Sequence, residues 1–268
     1  MKNKNTDPMQ GHRARKRFGQ NFLEDQGIIN AIVRSIGPKA ADNLVEIGPG
    51  KGAITAQLIE SCPSMQVVEL DRDLIPILLA QFAIYNDFRI HQTDALKFDF
   101  GQLATPERPL RVVGNLPYNI STPLIFHLLS FGELIADMHF MLQKEVVLRL
   151  AAGPGDKNYG RLSVMTQYVC QVENLFEVPP ECFNPRPKVD SAIVRLTPYR
   201  TQPFVAAHPD KLAKLVKTAF AQRRKTLRNN LKNLDEELDL EALDIDLTRR
   251  AESLSLEEYV NLSNTLWP

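Results

Sequence analysis

From residue 26 to about residue 198, helix-period and strand-period segments alternate, and no other feature of the sequence narrows its fold so far. Ile28, Ile29, Ile32, Val33 and Ile36 recur at helical spacing, and a short apolar run from Asn43 to Ile47 follows. Further strands are expected at Gln66–Leu70, Phe88–His91, Arg111–Gly114, Met138–Leu142 and Ala192–Leu196. Helices are expected around Ala53–Glu60, Leu74–Phe82, Pro123–Ser130, Glu145–Ala151 and Leu162–Cys170. Such alternation gives an α/β fold, a mostly parallel sheet covered on both faces, whose ligands bind at the carboxyl ends of the strands.

Pro198, Pro203 and Pro209 break the pattern and set a domain boundary near residue 200. Beyond it the chain reads as short helices: one opening after Pro209, a basic one around Ala221–Leu231, and one at Ser255–Leu266. Ser255 with Glu258 has the spacing of a capping box. The expected division is therefore 1–200 and 201–268, with the first dozen residues disordered.

The formal net charge of zero over 268 residues conceals segregation. Lys2, Lys4, Arg13, Arg15, Lys16 and Arg17 crowd the N-terminus, and Lys211, Lys214, Lys217, Arg223, Arg224, Lys225, Arg228 and Lys232 crowd a second stretch. The balancing acid lies in Asp235, Glu236, Glu237, Asp239, Glu241, Asp244 and Asp246. Two basic stretches in a neutral chain point to a polyanion footprint, against the plainer reading of solvated helix faces. No apolar run has membrane length and the N-terminus lacks an apolar targeting core, so a cytoplasmic protein is expected, without membrane contact. Cys62, Cys170 and Cys182 lack C-x-x-C spacing and read as reduced thiols, with neither a disulfide framework nor a metal site.

Glu46-Ile47-Gly48-Pro49-Gly50-Lys51-Gly52 follows an expected strand and opens a helix. Glycines there allow a tight turn and close approach of a ligand, but Gly48-x-Gly50-x-x-Ala53 also satisfies a loose dinucleotide pattern. Glu69 lies about 20 positions on, where an acid would bind ribose in either case. Asp94, after the third strand, favours S-adenosylmethionine, because a carboxylate there can accept from an adenine amine; taken alone it is an ordinary turn residue.

Asn115-Leu116-Pro117-Tyr118 sits at another strand's carboxyl end. The lone pair of an adenine amine is delocalised into the ring, so its alkylation needs acceptors for the amine hydrogens. The Asn115 side-chain oxygen and the Leu116 carbonyl are such acceptors, Pro117 stiffens their placement, and Tyr118 offers a stacking face worth about 1–3 kcal/mol. The bare alternative is a turn. Phe183, in Phe183-Asn184-Pro185-Arg186-Pro187-Lys188-Val189-Asp190-Ser191, is read as the opposite face of that pocket with Lys188 near phosphate; core filling is its competitor.

These residues together resemble the ribosomal RNA adenine dimethyltransferases, and in particular those of the small subunit. The resemblance runs from about Gly11 to Leu231 and is carried by Ala14–Leu23, Glu46–Gly52, Val68–Asp71, Asn115–Tyr118, Leu142–Glu145, Tyr159–Ser163, Phe183–Ser191 and Ala219–Leu227. It implies a Rossmann-like class I methyltransferase sheet with a small C-terminal all-helical RNA-binding domain. It further implies S-adenosylmethionine contacts from Asn21, Leu23, Gly48, Gly50, Glu69, Asp94 and Asn115, with Gln20–Leu23 closing over the cofactor. Asn115, Leu116, Tyr118 and Phe183 would be catalytic, and Arg15, Lys16, Arg17, Lys188, Arg223, Arg224, Lys225 and Arg228 would meet RNA. Lys51 departs from the apolar residue expected after Gly50. The implied activity is dimethylation of two adjacent adenosines near the 3′ end of 16S rRNA, in the small subunit or its precursor; the sequence carries no strong sign of oligomerisation, and a monomer is the default expectation. Competing readings are methylation of large-subunit RNA or DNA, a non-catalytic assembly factor, and a dinucleotide oxidoreductase.

Overall fold

The computed structural model describes residues 21–232, 234, 243 and 245–268. The expected N-terminal disorder, Arg15, Lys16 and Arg17, and the acidic cluster before Asp246 lie outside the described residues. In chain order the elements of the first part are β1 (Phe22–Leu23), α1 (Gln26–Ile36), β2 (Asn43–Ile47), α2 (Thr55–Ser61), β3 (Gln66–Glu69), α3 (Ile75–Gln81) and β4 (Arg89–Gln92). There follow β5 (Leu110–Asn115), α4 (Ser121–Leu129), β6 (Ile135–Gln143), α5 (Lys144–Ala151), α6 (Arg161–Val169), β7 (Cys170–Val178), β8 (Phe183–Asn184) and β9 (Ser191–Pro198). The last helices are α7 (Pro209–Ala219), α8 (Leu227–Leu231) and α9 (Leu256–Leu266).

The main sheet has the order β4-β3-β2-β5-β6-β9-β7, parallel from β4 to β6, with β9 antiparallel to β6. The chain begins at the centre, builds outward to β4, then crosses back to lay β5 on the other side of β2. That reversal leaves a crevice at the carboxyl ends of β2 and β5, where open α/β sheets hold ligands. Every residue of β2 is buried, as a strand covered on both faces requires. Gly114, on β5 beside Ile47, makes the close pairing feasible: a Cβ there would lie 2.5 Å from the Ile47 carbonyl oxygen. At the opposite end of the strands, Arg111 binds Asp42 at 2.6 Å, Asp137 at 3.0 Å and the Ile36 carbonyl at 2.6 Å, tying α1 and the β2 entrance to β5 and β6.

Three expectations are corrected. The described residues form two compact units, but the division is not a single cut near residue 200: Glu145–Val172 joins the described residues from Tyr199 to Pro268, and those from Asn21 to Lys144 with Glu173–Pro198 make the other unit. The cause is a second apolar core in which Tyr159, Val164 and Tyr168 pack with Leu212, Leu215 and Tyr259, so α6 lies on α7 and α9. The stretch Cys170–Val178, where no strand was expected, is the edge strand β7. The basic segment is also less helical than expected: Arg223, Arg224 and Lys225 lie in turns, and only Leu227–Leu231 forms α8. The capping box of α9 is present, with Glu258 N–H donating to Ser255 Oγ at 3.1 Å and Ser255 N–H to Glu258 Oε2 at 2.7 Å. Cys62, Cys170 and Cys182 are buried thiols.

Because the β2–β5 approach admits no side chain, Gly114→Ala is expected to destabilise the chain by roughly 1–3 kcal/mol through overpacking. Urea unfolding measures it, and a midpoint equal to that of the unsubstituted chain would refute the steric account.

Candidate active site

A cavity of about 530 Å³ opens where β2, β3, β4 and β5 end, lined by the loops that follow them and by the segment around β1. All the cofactor residues expected from the sequence line it: Asn21, Leu23, Gly48, Gly50, Glu69, Asp94 and Asn115. So do the expected catalytic residues Leu116, Tyr118 and Phe183.

The loop after β2 turns tightly, with Gly48, Gly50 and Gly52 at φ of 66°, 59° and 79°, values that a side chain disfavours. Three of its N–H groups are engaged within the chain: Gly48 to the Val68 carbonyl at 2.9 Å, Gly52 to Pro49 at 2.9 Å, and Gly50 toward Glu69 Oε2 at 3.4 Å. A diphosphate needs such donors pointing at it, so this loop is a poor dinucleotide cradle. Lys51 offers no phosphate contact either, since its ammonium lies 4.8 Å from the centroid of the Phe22 ring. Four lining residues carry carboxyls, Glu24, Glu46, Glu69 and Asp94, against the one cation of Lys51, in a lining that is otherwise mostly apolar. A cavity with more acidic than basic groups in its wall fits a cationic sulfonium and ammonium ligand, which is the character of S-adenosylmethionine.

Glu69 ends β3 almost buried, and its Oε1 accepts from Asp71 N–H at 2.7 Å. Burial raises its pKa, an effect that the donors at Asp71 and Gly50 oppose. Glu46 on β2 is buried more deeply, and its Oε2 accepts from the Thr55 hydroxyl at 2.5 Å at the start of α2. Desolvation pushes the Glu46 carboxyl up to about 7, opposed by the Thr55 bond and reinforced by the charge of Glu69. Asp94 serves both readings offered by the sequence: Oδ1 accepts from Leu96 N–H at 3.0 Å as in a turn, while the residue lines the cavity.

Asn115, the last residue of β5, donates from Nδ2 to the Asn21 carbonyl at 3.2 Å. A carbonyl can only accept, so this bond fixes the amide nitrogen on that branch and leaves Oδ1 as an acceptor on the other. Leu116 N–H donates to the Met141 carbonyl at 3.2 Å, anchoring the following peptide to β6. The Tyr118 hydroxyl is 3.2 Å from Ser191 Oγ at the start of β9, which restrains its ring. Phe183 is cavity wall and core residue at once, 4% exposed and packed with Leu23, Ile29 and Ile32. Lys188 lies exposed in the loop before β9, outside the cavity. Arg223, Arg224, Lys225 and Arg228 are exposed on the second unit, with the Arg223 guanidinium donating to the Lys157 carbonyl.

Glu46 was not among the residues expected to act, and Phe22 entered only within the Gln20–Leu23 segment that the resemblance assigns to closing over the cofactor. A carboxylate inside an otherwise apolar strand was a readable signal for Glu46, since a fully buried charge needs a reason. Phe22 gave no such signal, because its role depends on which loop it meets in space.

Fold and cavity together define a class I methyltransferase that uses S-adenosylmethionine. Residues 11–267 match the ribosomal RNA adenine dimethylase family, and the chain belongs to it. It is 61% identical over 257 residues to the Ribosomal RNA small subunit methyltransferase A of Hahella chejuensis, spanning 96% of this chain and 94% of that one. It is 60% identical to the protein of that name from Pseudomonas putida, spanning 95% and 96%. Among solved structures, a dimethyladenosine transferase from Plasmodium falciparum superposes with a TM-score of 0.74 at 26% identity, over 90% of this chain and 95% of that one. The 23S rRNA methyltransferase ErmE shares the fold, with a TM-score of 0.73 at 22% identity over 92% and 99%.

The raised Glu46 pKa has a consequence for stability. Between its ordinary 4.5 and about 7 the folded chain holds a proton that the unfolded chain has released, so this group's contribution falls as pH rises through that window. Glu46→Gln keeps an acceptor for Thr55 and removes the titration. Between pH 5 and pH 8 the unfolding free energy should therefore drop less in the variant than in the parent, and parallel pH profiles would refute the assignment.

Proposed function

We propose that this chain transfers methyl groups to the N6 amine of two adjacent adenosines near the 3′ end of 16S rRNA, within the small subunit or its precursor, in the cytoplasm. The names of its relatives support the small subunit as substrate. The observation that carries the chemistry is the Asn115 amide, held by its nitrogen so that its oxygen remains an acceptor beside Leu116 and Tyr118.

S-adenosylmethionine, when bound, supplies an electrophilic methyl group on a sulfonium. Glu69 would hold it at the ribose, Asp94 at the adenine amine, and the Gly48–Gly50 backbone along its length. The protein's part in the reaction is to prepare the target nitrogen. Asn115 Oδ1 and the Leu116 carbonyl accept its two hydrogens, drawing it toward tetrahedral geometry and turning its lone pair out of the ring. Tyr118 and Phe183 supply aromatic faces for the base, with Tyr118 steadied by Ser191. No strong general base is required, since the alkylated nitrogen becomes acidic and water takes the proton.

The basic turn at Arg223, Arg224 and Lys225, with Arg228 on α8 and Lys188 in the first unit, is assigned to the RNA backbone. Among the described residues no helix is long and apolar enough to cross a membrane. The activity is assigned to the monomer.

Mass spectrometry of nucleosides from unmethylated small-subunit particles should show N6,N6-dimethyladenosine after incubation with the protein and cofactor. Dimethylation of large-subunit RNA alone would overturn the substrate. Asn115→Ala should lower turnover by about 100-fold or more while cofactor affinity, read by calorimetry, changes far less; equal losses would assign Asn115 to binding. Arg223→Ala with Arg224→Ala should weaken binding to particles and flatten the logarithmic salt slope by about 0.7–0.9 for each phosphate no longer neutralised. An unaltered slope would remove that turn from the interface.

A further inference from the structure

The segment Asn21–Glu24 is tied on both sides. Phe22 and Leu23 pair antiparallel with Asn184 and Phe183, Glu24 N–H donates to the Cys182 carbonyl at 2.8 Å, and Asn184 Nδ2 reaches Glu24 Oε1 at 3.2 Å. On the other side the Phe22 ring lies on Gly50, where a Cβ would stand 3.2 and 3.3 Å from two ring carbons. The Lys51 ammonium covers the same ring. Between these anchors the Asn21 carbonyl receives Asn115 Nδ2.

We infer that Phe22 is a positioning residue for methyl transfer: seated on Gly50 beneath Lys51, it holds the Asn21 carbonyl where that oxygen sets the orientation of the Asn115 amide. This rests on the reading of Asn115 as acceptor for the target amine. The terminal torsion of an asparagine is broad and nearly two-fold, so the side chain alone does not choose which end faces the amine. An amide turned the other way would present N–H groups to N–H groups and oppose the substrate. The Asn21 carbonyl makes the choice, and it can do so only while its strand is pinned.

The pin is specific to the residues present. Gly50, by lacking a side chain, provides the seat, and its φ of 59° bends the loop there. Lys51, the departure noted in the sequence, gives up any role toward a ligand phosphate and becomes a cationic cover for an aromatic face. One consequence is that the cofactor loop and the target-amine acceptor are mechanically joined, since Phe22 touches the former and its neighbour Asn21 the latter.

A double-mutant cycle on the full-length protein tests this, with single-turnover rates at saturating cofactor and small-subunit particles, KM for particles, and calorimetry for the cofactor. Phe22→Ala should lower the rate by about 10- to 100-fold with KM for particles unchanged, and Phe22→Tyr should restore it. In an Asn115→Ala background Phe22→Ala should cause no further loss, because the group it positions is gone. Lys51→Gln, a half-buried and conservative change, should act in the same direction, more weakly, and should likewise vanish in that background. Losses that multiply in the double variants would overturn the inference, as would full turnover of Phe22→Ala beside a crippled Asn115→Ala. Full turnover of Asn115→Ala would instead remove the reading of the acceptor and this inference with it.

Discussion

The parallel contact between β2 and β5 is the constraint from which the site follows. These strands are neighbours in the sheet but far apart in sequence, because the chain builds one half outward before returning to the centre. Their carboxyl ends therefore lie side by side, and the glycine loop and Asn115 project from adjacent positions. Gly114 makes the approach possible by leaving no side chain opposite the Ile47 carbonyl. With a wider separation, Asn115 would lie farther from the Gly48–Gly50 loop that carries the ligand.

The choice of ligand is made by electrostatics more than by shape. A glycine-rich turn after the first central strand is common to nucleotide sites of several kinds. In this chain the N–H groups of Gly48, Gly50 and Gly52 bond inward and Lys51 faces an aromatic ring, so fewer donors remain to attract phosphate. Buried or partly buried carboxylates supply the opposite field. Glu46 holds its proton up to about 7 chiefly because burial strips its carboxyl of water, the charge of Glu69 adding to that.

What was legible in the sequence was whatever depends on local period or on a motif's place after a strand. The strands Asn43–Ile47 and Gln66–Glu69, the loop between them, Asn115–Tyr118 and the Ser255–Glu258 cap could all be placed that way. What escaped depends on long-range packing. Cys170–Val178 is an edge strand whose buried, half-buried and exposed residues follow no two-residue alternation. The helix Arg161–Val169 has the same apolar spacing whether it covers a sheet or joins a helical core, and only the partners Leu212, Leu215 and Tyr259 decide between them. Phe183 was posed as either pocket wall or core and is both, a result that a two-way choice could not express.

The inclusion of Glu145–Val172 in the second unit has an evolutionary corollary. A domain appended at one end can be gained, lost or exchanged by a single recombination event. This one is assembled from Glu145–Val172, threaded between β6 and the edge strand, together with Tyr199–Pro268 after β9, so its ancestry is bound to that of the enzyme. Lineages that retarget such an enzyme would have to do so by point substitution and loop length within the helical unit, rather than by trading it for another module.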